Sequence, residues 1–222
     1  MTLRYPSLFI YLYRQLSTPE EPCTLVPINL HNSAEFAELK QQRRKCGWDY
    51  EDVNLIAWRD KQDANLKSFF WITVPSQSTD ADAPRIRAGH ISLDSYADPP
   101  DPELATADRS NLTIQTFFID PAHRGGLGRK AMDIVEAMAS EEPYGSPECK
   151  YLTLNALSKR YFYEESHFWD KLDRVRPAVC TAEWYERRGY VYWKSEPRYH
   201  EPLLEGDDAI IWADFLRKPL RR

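Results

Sequence analysis

One stretch of this sequence, residues 111–140, combines a strand pattern, a glycine-rich loop and a helix pattern in that order. Residues 112–119 are rich in β-branched and aromatic side chains, and Pro121 ends the run because proline cannot donate to a sheet ladder. Apolar residues then recur at helical spacing, at Leu127, Ala131, Ile134, Val135 and Met138. The stretch therefore predicts a strand that leads through a short loop into an amphipathic helix.

The loop between this strand and this helix has the chemistry of an anion-binding site. The first turn of a helix leaves backbone N–H groups without partners, and the helix dipole makes that end positive. Gly125, Gly126 and Gly128 carry no Cβ, so an anion can approach the main chain closely. Arg124 and Arg129 add positive charge on either side. These features predict a phosphate or pyrophosphate site, although a tight connection would also explain the glycines.

Two familiar phosphate loops do not match this segment. A Walker loop ends in Gly-Lys-Ser/Thr, whereas this sequence has Gly128 followed by Arg129 and Lys130. A dinucleotide loop opens a βαβ unit and requires an acidic residue at the end of the following strand. Here Gly126 and Gly128 lie in the middle of the chain, Ala131 takes the third glycine position, and no such acidic strand end follows. Both alternatives are disfavoured.

Residues 118–132 resemble the acyl-CoA-binding segment of the GNAT N-acetyltransferase family. The family signature Gln/Arg-x-x-Gly-x-Gly/Ala is matched by residues 123–128, with His123 in place of the usual Gln or Arg. A second family signature, aromatic-Tyr-Glu-x-x-Gly-aromatic, is matched at 184–190 by Trp-Tyr-Glu-Arg-Arg-Gly-Tyr. The two motifs follow in the family order, about 60 residues apart, and the resemblance covers roughly residues 24–218.

The resemblance implies an α+β (mixed α/β) fold, with a central, twisted, mostly antiparallel sheet flanked by helices. It implies acetyl-CoA as co-substrate, with the pantetheine arm in a gap between the central strand and the strand at 151–157. The arm would pair with the main chain of the central strand, and the pyrophosphate would lie on the glycine loop. The implied cofactor-binding residues are Phe117, Phe118, Ile119, His123, Arg124, Gly125, Gly126, Leu127, Gly128 and Arg129.

The resemblance also implies a catalytic residue, Tyr185, which matches the family tyrosine that points at the cofactor sulfur. A phenol is neutral at pH 7 and can donate a proton or a hydrogen bond to the leaving thiolate; Tyr185 could also simply pack in the core. A backbone N–H near Phe118 would polarise the thioester carbonyl. The central strand offers no acid as a base, so a water chain or a residue elsewhere must serve. The residues considered are His90, Asp94, Glu164, Glu165 and His167.

The leading hypothesis is an acetyl-CoA-dependent N-acetyltransferase that transfers its acetyl group directly, in a ternary complex, to a primary amine. A small-molecule amine is favoured over a protein amine. The alternative from another class is a non-catalytic acyl-CoA-binding or protein-interaction domain with the same fold. A third is an acyltransferase for longer chains, and the bulk of Phe117 and Phe118 favours a short acyl group instead.

Composition narrows the class of protein further. The chain has 222 residues, of which 13% are aromatic, so a sizeable core can form without disulfides. A net charge of −5 argues against general nucleic-acid binding. The four cysteines, at 23, 46, 149 and 180, show no Cys-x-x-Cys spacing, which argues against a metal site and predicts reduced thiols in the cytoplasm.

We expect a single GNAT-like domain over residues 1–222, with an N-terminal extension at 1–22 and an insertion at about 158–177. The apolar run near the N-terminus is too short to span a bilayer and lacks a signal-peptide cleavage site, so an extra strand is expected and a membrane is not. A homodimer is possible, through pairing of the late strands or the N-terminal strand.

Three segments could shape the acceptor site. The insertion at 158–177 is crowded with aromatic and acidic side chains and could be a lid, a packed insertion or part of an interface. The acidic loop at 97–110 is either solvated or attracts a cationic amine. Trp48, Tyr50 and Trp58 could line the acceptor pocket or pack in the core.

Overall fold

The structure is a computed structural model that describes residues 22–76, 78, 80, 83–172, 176–203, 206 and 208–220. Within these ranges one eight-stranded sheet carries the helices. The strands are β1 Thr24–Pro27, β2 Lys67–Val74, β3 Ile86–Asp94, β4 Asn111–Ile114, β5 Phe117–Ile119, β6 Tyr151–Leu157, β7 Val191–Pro202 and β8 Asp208–Pro219. The helices are α1 Ser33–Cys46, α2 Asp52–Asp63, α3 Leu127–Met138, α4 Arg160–Tyr163, α5 Phe168–Lys171 and α6 Thr181–Glu186, with a 3-10 turn at Pro121–His123. The expected N-terminal extension lies outside the described residues, apart from Pro22.

The sheet is antiparallel except at one junction. Its strand order is β1-β2-β3-β4-β6-β8-β7, and β5 pairs with β3 outside this path. The single parallel pair is β4 with β6, near the middle of the sheet. This arrangement confirms the predicted mixed α/β fold with a central, mostly antiparallel sheet.

The central strand differs from its prediction. The sequence predicts one strand over residues 112–119, but the structure divides it into β4 and β5, with a break at Gln115 and Thr116. The break arises because these two residues bond to buried side chains of β2 and β3 instead of continuing the ladder to β6. A pattern of β-branched residues contains no sign of such contacts.

Helix α3 begins at Leu127, as predicted, and buries Leu127, Ala131, Met132 and Val135. The apolar spacing predicts a helix from Glu51 to about Leu66 that buries Val53, Ile56 and Ala57. Helix α2 has this position, but the predicted inner face is wrong. Leu55 is fully buried, whereas Val53 and Ile56 are 69% and 40% exposed. Apolar residues occur on both faces of this short helix, so its sequence alone does not determine which face packs.

The insertion at 158–177 packs into the main core. It contains α4 and α5, and four of its aromatic side chains are buried in the same cluster as β3, α3 and β6, namely Tyr161, Phe162, Phe168 and Trp169. Trp169 Nε1 donates to the Tyr161 carbonyl at 2.9 Å, which ties the two short helices together. The packed insertion is therefore the alternative that the described part of this segment supports.

The hairpin formed by β7 and β8 is longer than the sequence predicts. The sequence predicts closing strands at 190–193 and 209–216, separated by a loop that contains Pro197, Pro202 and Gly206. In the structure Pro197 lies instead in β7, which is the edge strand of the sheet. A register shift between Pro197 and Tyr199 accommodates the missing N–H, as bulges on edge strands do. The consequence is that Arg198 and Tyr199 become part of the sheet.

None of the helices in the described ranges combines the length and the apolar composition that a membrane span requires. The same ranges contain no group of three or more His, Cys, Asp or Glu side chains placed to hold a metal ion.

Candidate active site

The candidate active site lies where β4 and β6 stop running side by side. Ile114 pairs with Leu154 and is the last residue of β4 in that parallel ladder. The chain then turns away, and β5 pairs with β3, with Phe118 opposite His90. Beyond Leu154, β6 pairs only with β8. A gap therefore opens between β5 and the 155–157 part of β6, and we call it the strand gap.

The main chain of β5 is accessible from the strand gap. Asp120 N–H donates to the Ala88 carbonyl at 2.9 Å, and Ser92 N–H donates to the Thr116 carbonyl at 2.9 Å. Because hydrogen-bonded pairs alternate along an antiparallel ladder, the bonds to β3 fall at residues 116, 118 and 120. The N–H and C=O groups of Phe117 and Ile119 therefore face the strand gap. In this register the polarising N–H expected near Phe118 belongs to one of these two neighbours.

A glycine on β3 permits this turn of the central strand. A Cβ at Gly89 would collide with the carbonyl oxygen of Phe118. Any larger residue would push β5 away from β3 and toward β6. Gly89 therefore helps to keep the strand gap open.

The break between β4 and β5 is held by a buried ion pair. Asp94 Oδ2 accepts hydrogen bonds from Lys67 Nζ at 3.0 Å, Ser92 Oγ at 2.8 Å and Gln115 Nε2 at 3.1 Å. Lys67 Nζ also donates to Thr116 Oγ1 at 3.3 Å. Both charged side chains are fully buried, and desolvation lowers the pKa of Lys67 and raises that of Asp94. Each residue of the break is thus anchored to one member of the pair.

The glycine loop offers unsatisfied main-chain donors next to positive charge. Gly125 and Gly126 have φ of +106° and +94°, and a Cβ at either position would meet no neighbour. Gly126 is the N-cap of α3 and no side chain caps the helix. Arg124 and Arg129 are exposed and form no salt bridge with any described residue. Such a cradle fits the pyrophosphate of a CoA thioester.

The two sequence motifs meet in space beside the strand gap. Trp184, in α6, lies with its ring centroid 6.2 Å from that of Phe117 in β5. A Cβ at Gly128 would lie 3.4 Å from Phe117 Cζ and 4.0 Å from Trp184 Cζ2. The structure therefore brings together the β5 residues, the glycine loop with His123 at its start, the first turn of α3, and the helix that carries Tyr185.

Ion pairs fix α6 and its following turn against α3. Arg188 Nη2 lies 2.7 Å from Asp133 Oδ1 and 2.9 Å from Glu136 Oε1. Lys218 Nζ on β8 reaches the other oxygen of Glu136 at 2.7 Å. The second motif is thereby held in a defined position relative to the glycine loop.

Tyr185 is buried beside this junction. Its ring packs edge-on against Trp184 at 5.0 Å and against Tyr190 at 5.7 Å between centroids. Burial raises the pKa of Tyr185 well above its usual value, and the nearby Arg188 opposes only part of this shift. The phenol therefore stays protonated across the physiological pH range and can act as a donor.

A pocket of about 260 Å³ lies at the break in the central strand. Its lining combines aromatic, acidic and basic side chains from α2, the acidic loop, β4, β6 and β7. The lining residues are Asp49, Asn54, Ala57, Trp58, Lys61, Tyr96, Asp98, Leu104, Thr113, Gln115, Thr116, Asn155, Arg198 and Tyr199. Of the three aromatics that the sequence suggested, Trp58 lines the pocket, while Trp48 packs against the main core and Tyr50 is exposed.

The sequence did not single out several of these pocket residues. Asn155 is the one amide side chain in β6, whose other residues are apolar, aromatic or threonine, and this was a usable signal. Its Oδ1 accepts a hydrogen bond from Tyr199 Oη at 2.9 Å. Arg198 and Tyr199 stand in a proline-flanked segment predicted as a loop, so their pattern gave no signal. None of the five residues considered as a base lines the pocket.

His90 illustrates why a buried histidine is a poor base here. Its ring lies between Phe69 and Phe118, with centroid distances of 5.6 Å and 5.4 Å. Its Nδ1 lies 2.9 Å from Gln42 Oε1, while Nε2 has no partner among the described residues. Burial, and then the charges of Arg43 and Lys67, lower the pKa of His90 well below 6.5.

Acidification is expected to destabilise the protein through His90. The folded state keeps the imidazole neutral, whereas the unfolded state binds a proton once the pH falls below about 6.5. Stability contributed by this group is therefore complete above pH 6.5 and is lost as the pH falls, by up to about 1.4 kcal/mol per pH unit. Urea denaturation of wild type and His90→Gln at pH 7, 6 and 5 checks this. Equal losses in the two proteins would contradict it.

The similarity of this chain to known proteins is detected in its three-dimensional structure and not in its sequence. The sequence matches no protein-family model and no curated protein. An acetyltransferase described as GNAT-family, from Desulfovibrio desulfuricans, superposes with a TM-score of 0.54 at 14% identity, over 90% of this chain and 99% of that one. NAA60 of Arabidopsis thaliana, in complex with a bisubstrate analogue, gives 0.55 at 12% identity, over 90% and 99%. An aminoglycoside 6′-N-acetyltransferase complexed with coenzyme A gives 0.54 at 14% identity, over 90% and 98%.

These similarities show the fold, a mixed α/β architecture around a central, mostly antiparallel sheet. The chain has the fold of the GNAT acetyltransferases.

Proposed function

We propose that this protein is an acetyl-CoA-dependent N-acetyltransferase that acts by direct transfer to a primary amine of a small molecule. The observation that carries the proposal is the strand gap, which ends at the N-terminus of α3 and adjoins a separate small pocket. No side chain caps this helix end, and Arg124 and Arg129 beside it form no salt bridge with a described residue. A thioester in the strand gap and an acceptor in the pocket can then meet near the break between β4 and β5, each entering from its own side. Two of the similar structures hold coenzyme A or a bisubstrate analogue, which supports acetyl-CoA as co-substrate.

The cofactor would be held along the elements that the sequence suggested. The main chain of Phe117 and Ile119 would pair with the pantetheine arm, and Phe118 would keep β5 on β3. The amides of residues 125–128, together with the side chains of His123, Arg124 and Arg129, would hold the pyrophosphate.

The chain's own groups would share the chemical step. An N–H of β5 would polarise the thioester carbonyl. As the amine nitrogen bonds to the carbonyl carbon and the carbon–sulfur bond breaks, Tyr185 would donate a proton to the departing sulfur. Asp98 is exposed and lines the pocket, so the pocket reaches solvent and water can take the amine proton.

Replacing Tyr185 with phenylalanine is expected to lower kcat on the order of 100-fold and to leave acetyl-CoA affinity nearly unchanged. The change removes the donor but keeps the buried ring and its contacts with Trp184 and Tyr190. Thiol release across an amine panel, with mass spectrometry of the products, measures kcat, and calorimetry measures affinity.

Tyr163→Phe serves as the matched control. Tyr163 is an exposed phenol on α4 that donates to Glu183, so its loss should not alter kcat. Equal activity of Tyr185→Phe and wild type would remove the tyrosine from the mechanism. Acetyl-CoA binding without turnover of any amine would favour a non-catalytic acyl-CoA-binding domain instead.

The proposal also covers the organisation of the chain. A single domain is supported, for the described residues, by one sheet whose strands run from Thr24 to Pro219 and by the described part of 158–177, which packs on this sheet as an insertion. A homodimer and a cytoplasmic location remain predictions from the sequence.

A further inference from the structure

Two cationic side chains line the pocket without a carboxylate partner. Arg198 and Lys61 form no salt bridge with any residue in the described ranges. Lys61 Nζ instead lies 5.0 Å from the centroid of the Tyr96 ring. The pocket therefore has positive charge that no carboxylate in the described part of the chain neutralises by a salt bridge.

The guanidinium of Arg198 is oriented but not saturated. Its Nη2 donates to the main-chain carbonyls of Asp98 and Pro99, each at 3.0 Å. Its Nε is buried with no hydrogen-bond partner among the described residues, and no bond from Nη1 to these residues is present either. Two carbonyls thus fix the plane of the guanidinium and leave donors for a ligand.

A neighbouring lysine on the same strand shows that acidic side chains lie close to Arg198. Lys194, four residues earlier on β7, binds Asp101 at 3.1 Å, Glu103 at 3.0 Å and Glu196 at 3.3 Å. The acidic loop thus gives carboxylates to Lys194 but only main-chain oxygens to Arg198. Arg198 lacks a carboxylate partner because of where it lies in the pocket, and not because acidic side chains are absent from this region.

An unpaired negative charge lies in the same pocket. Asp98 is exposed, and its carboxylate makes no salt bridge with a described residue, even though its own carbonyl accepts from Arg198. The other acid of the lining, Asp49, is bound by Arg43 at 3.2 Å. The pocket therefore presents two cationic side chains and one carboxylate that form no salt bridge with one another.

We infer that the acceptor is a small amine that also bears a carboxylate. This inference rests on the proposed function and narrows its substrate class. The guanidinium of Arg198 binds the carboxylate, Lys61 adds positive charge, and the Asp98 carboxylate attracts the ammonium form before it loses its proton. The aromatic faces of Trp58 and Tyr96 cover the apolar body of the ligand. At about 260 Å³ the pocket is slightly smaller than ordinary ligand sites, which begin at about 300 Å³, and this favours a free amino acid over a larger molecule.

The test compares amines that differ only in their anionic group. The probes are lysine, ornithine and 5-aminopentanoate, each beside its carboxamide and its decarboxylated amine. Acetylation by wild type, Arg198→Gln and Lys171→Gln is followed as kcat/KM. Lys171, an exposed cation on α5 away from the pocket, controls for the change in net charge.

We expect wild type to prefer the carboxylates, and Arg198→Gln to lose about 10- to 100-fold in kcat/KM for them while changing little for the analogues without a carboxylate. Lys171→Gln should behave as wild type. Acetylation of the carboxylates and of the analogues without a carboxylate at equal rates, unaffected by Arg198→Gln, would overturn the inference and leave the proposed function standing.

Calorimetric titration of the same probes in the presence of CoA separates the two proposals. Carboxylate-dependent binding that Arg198→Gln abolishes, without turnover of any probe, would support the pocket's specificity and contradict acetyl transfer. If no carboxylate probe is bound and none is acetylated, the inference is contradicted.

Discussion

Replacing Lys67 with methionine is expected to lower the free energy of unfolding by about 3–5 kcal/mol. The variant leaves Asp94 fully buried without its countercharge. It also removes the hydrogen bond from Lys67 Nζ to Thr116 Oγ1, one of the contacts that shape the strand break. Urea denaturation monitored by tryptophan fluorescence measures the loss.

A double variant separates the burial of a lone charge from the general loss of contacts. Lys67→Met combined with Asp94→Leu should recover part of the stability, because no unpaired charge remains in the core. Its affinity for acetyl-CoA should be lower than that of wild type, because the double variant removes the hydrogen bonds of Gln115 to Asp94 and of Thr116 to Lys67. Lys40→Met breaks a surface pair with Asp52 and should cost less than about 1 kcal/mol. A Lys67→Met variant as stable as Lys40→Met would contradict the assigned role of the pair.

Replacing Gly126 with glutamate is expected to weaken acetyl-CoA binding on the order of 100-fold or more. The added carboxylate would stand at the N-terminus of α3, where the pyrophosphate would lie, and like charges placed together cost several kcal/mol. Space is not the obstacle, since a Cβ at Gly126 would meet no neighbour within 4 Å. Isothermal calorimetry with acetyl-CoA measures the change.

Two controls isolate the charge from backbone strain. Gly126 has φ of +94°, so any side chain there is strained, and Gly126→Gln carries the same strain without the charge. Gly47→Glu adds a carboxylate at a second open glycine of positive φ, the C-cap of α1. We expect both controls to bind far better than Gly126→Glu. Equal affinities of the Glu and Gln variants at 126 would show that the loop does not hold the phosphates.

The parts of the fold that were predictable are those set by local chemistry. The strand Tyr151–Leu157 and the start of α3 at Leu127 match their predictions. In both places the local sequence determines the local structure: a run of strand-forming residues in the first, and a glycine loop before an apolar helical repeat in the second. The break in the central strand was not predictable. It depends on Lys67 and Asp94, which lie 49 and 21 residues from the break residues that they bind.

The proposed cofactor-binding half of the candidate site was predictable from the sequence, whereas most of the pocket was not. The glycine loop and the helix with Tyr185 carry contiguous motifs, so their residues could be named in advance. The pocket takes Lys61, Asp98, Asn155 and Arg198 from four distant segments, and only the register of the sheet brings them together. Arg198 reaches it because an edge strand tolerates Pro197 at a bulge, which the proline pattern alone argues against.

The most direct test of the central claim is calorimetric titration of the wild-type protein with acetyl-CoA, followed by the amine panel under the same conditions. The proposed function predicts one site per chain with a dissociation constant in the micromolar range, and acetylated product with at least one amine. No binding of acetyl-CoA would contradict the acetyltransferase proposal at its foundation.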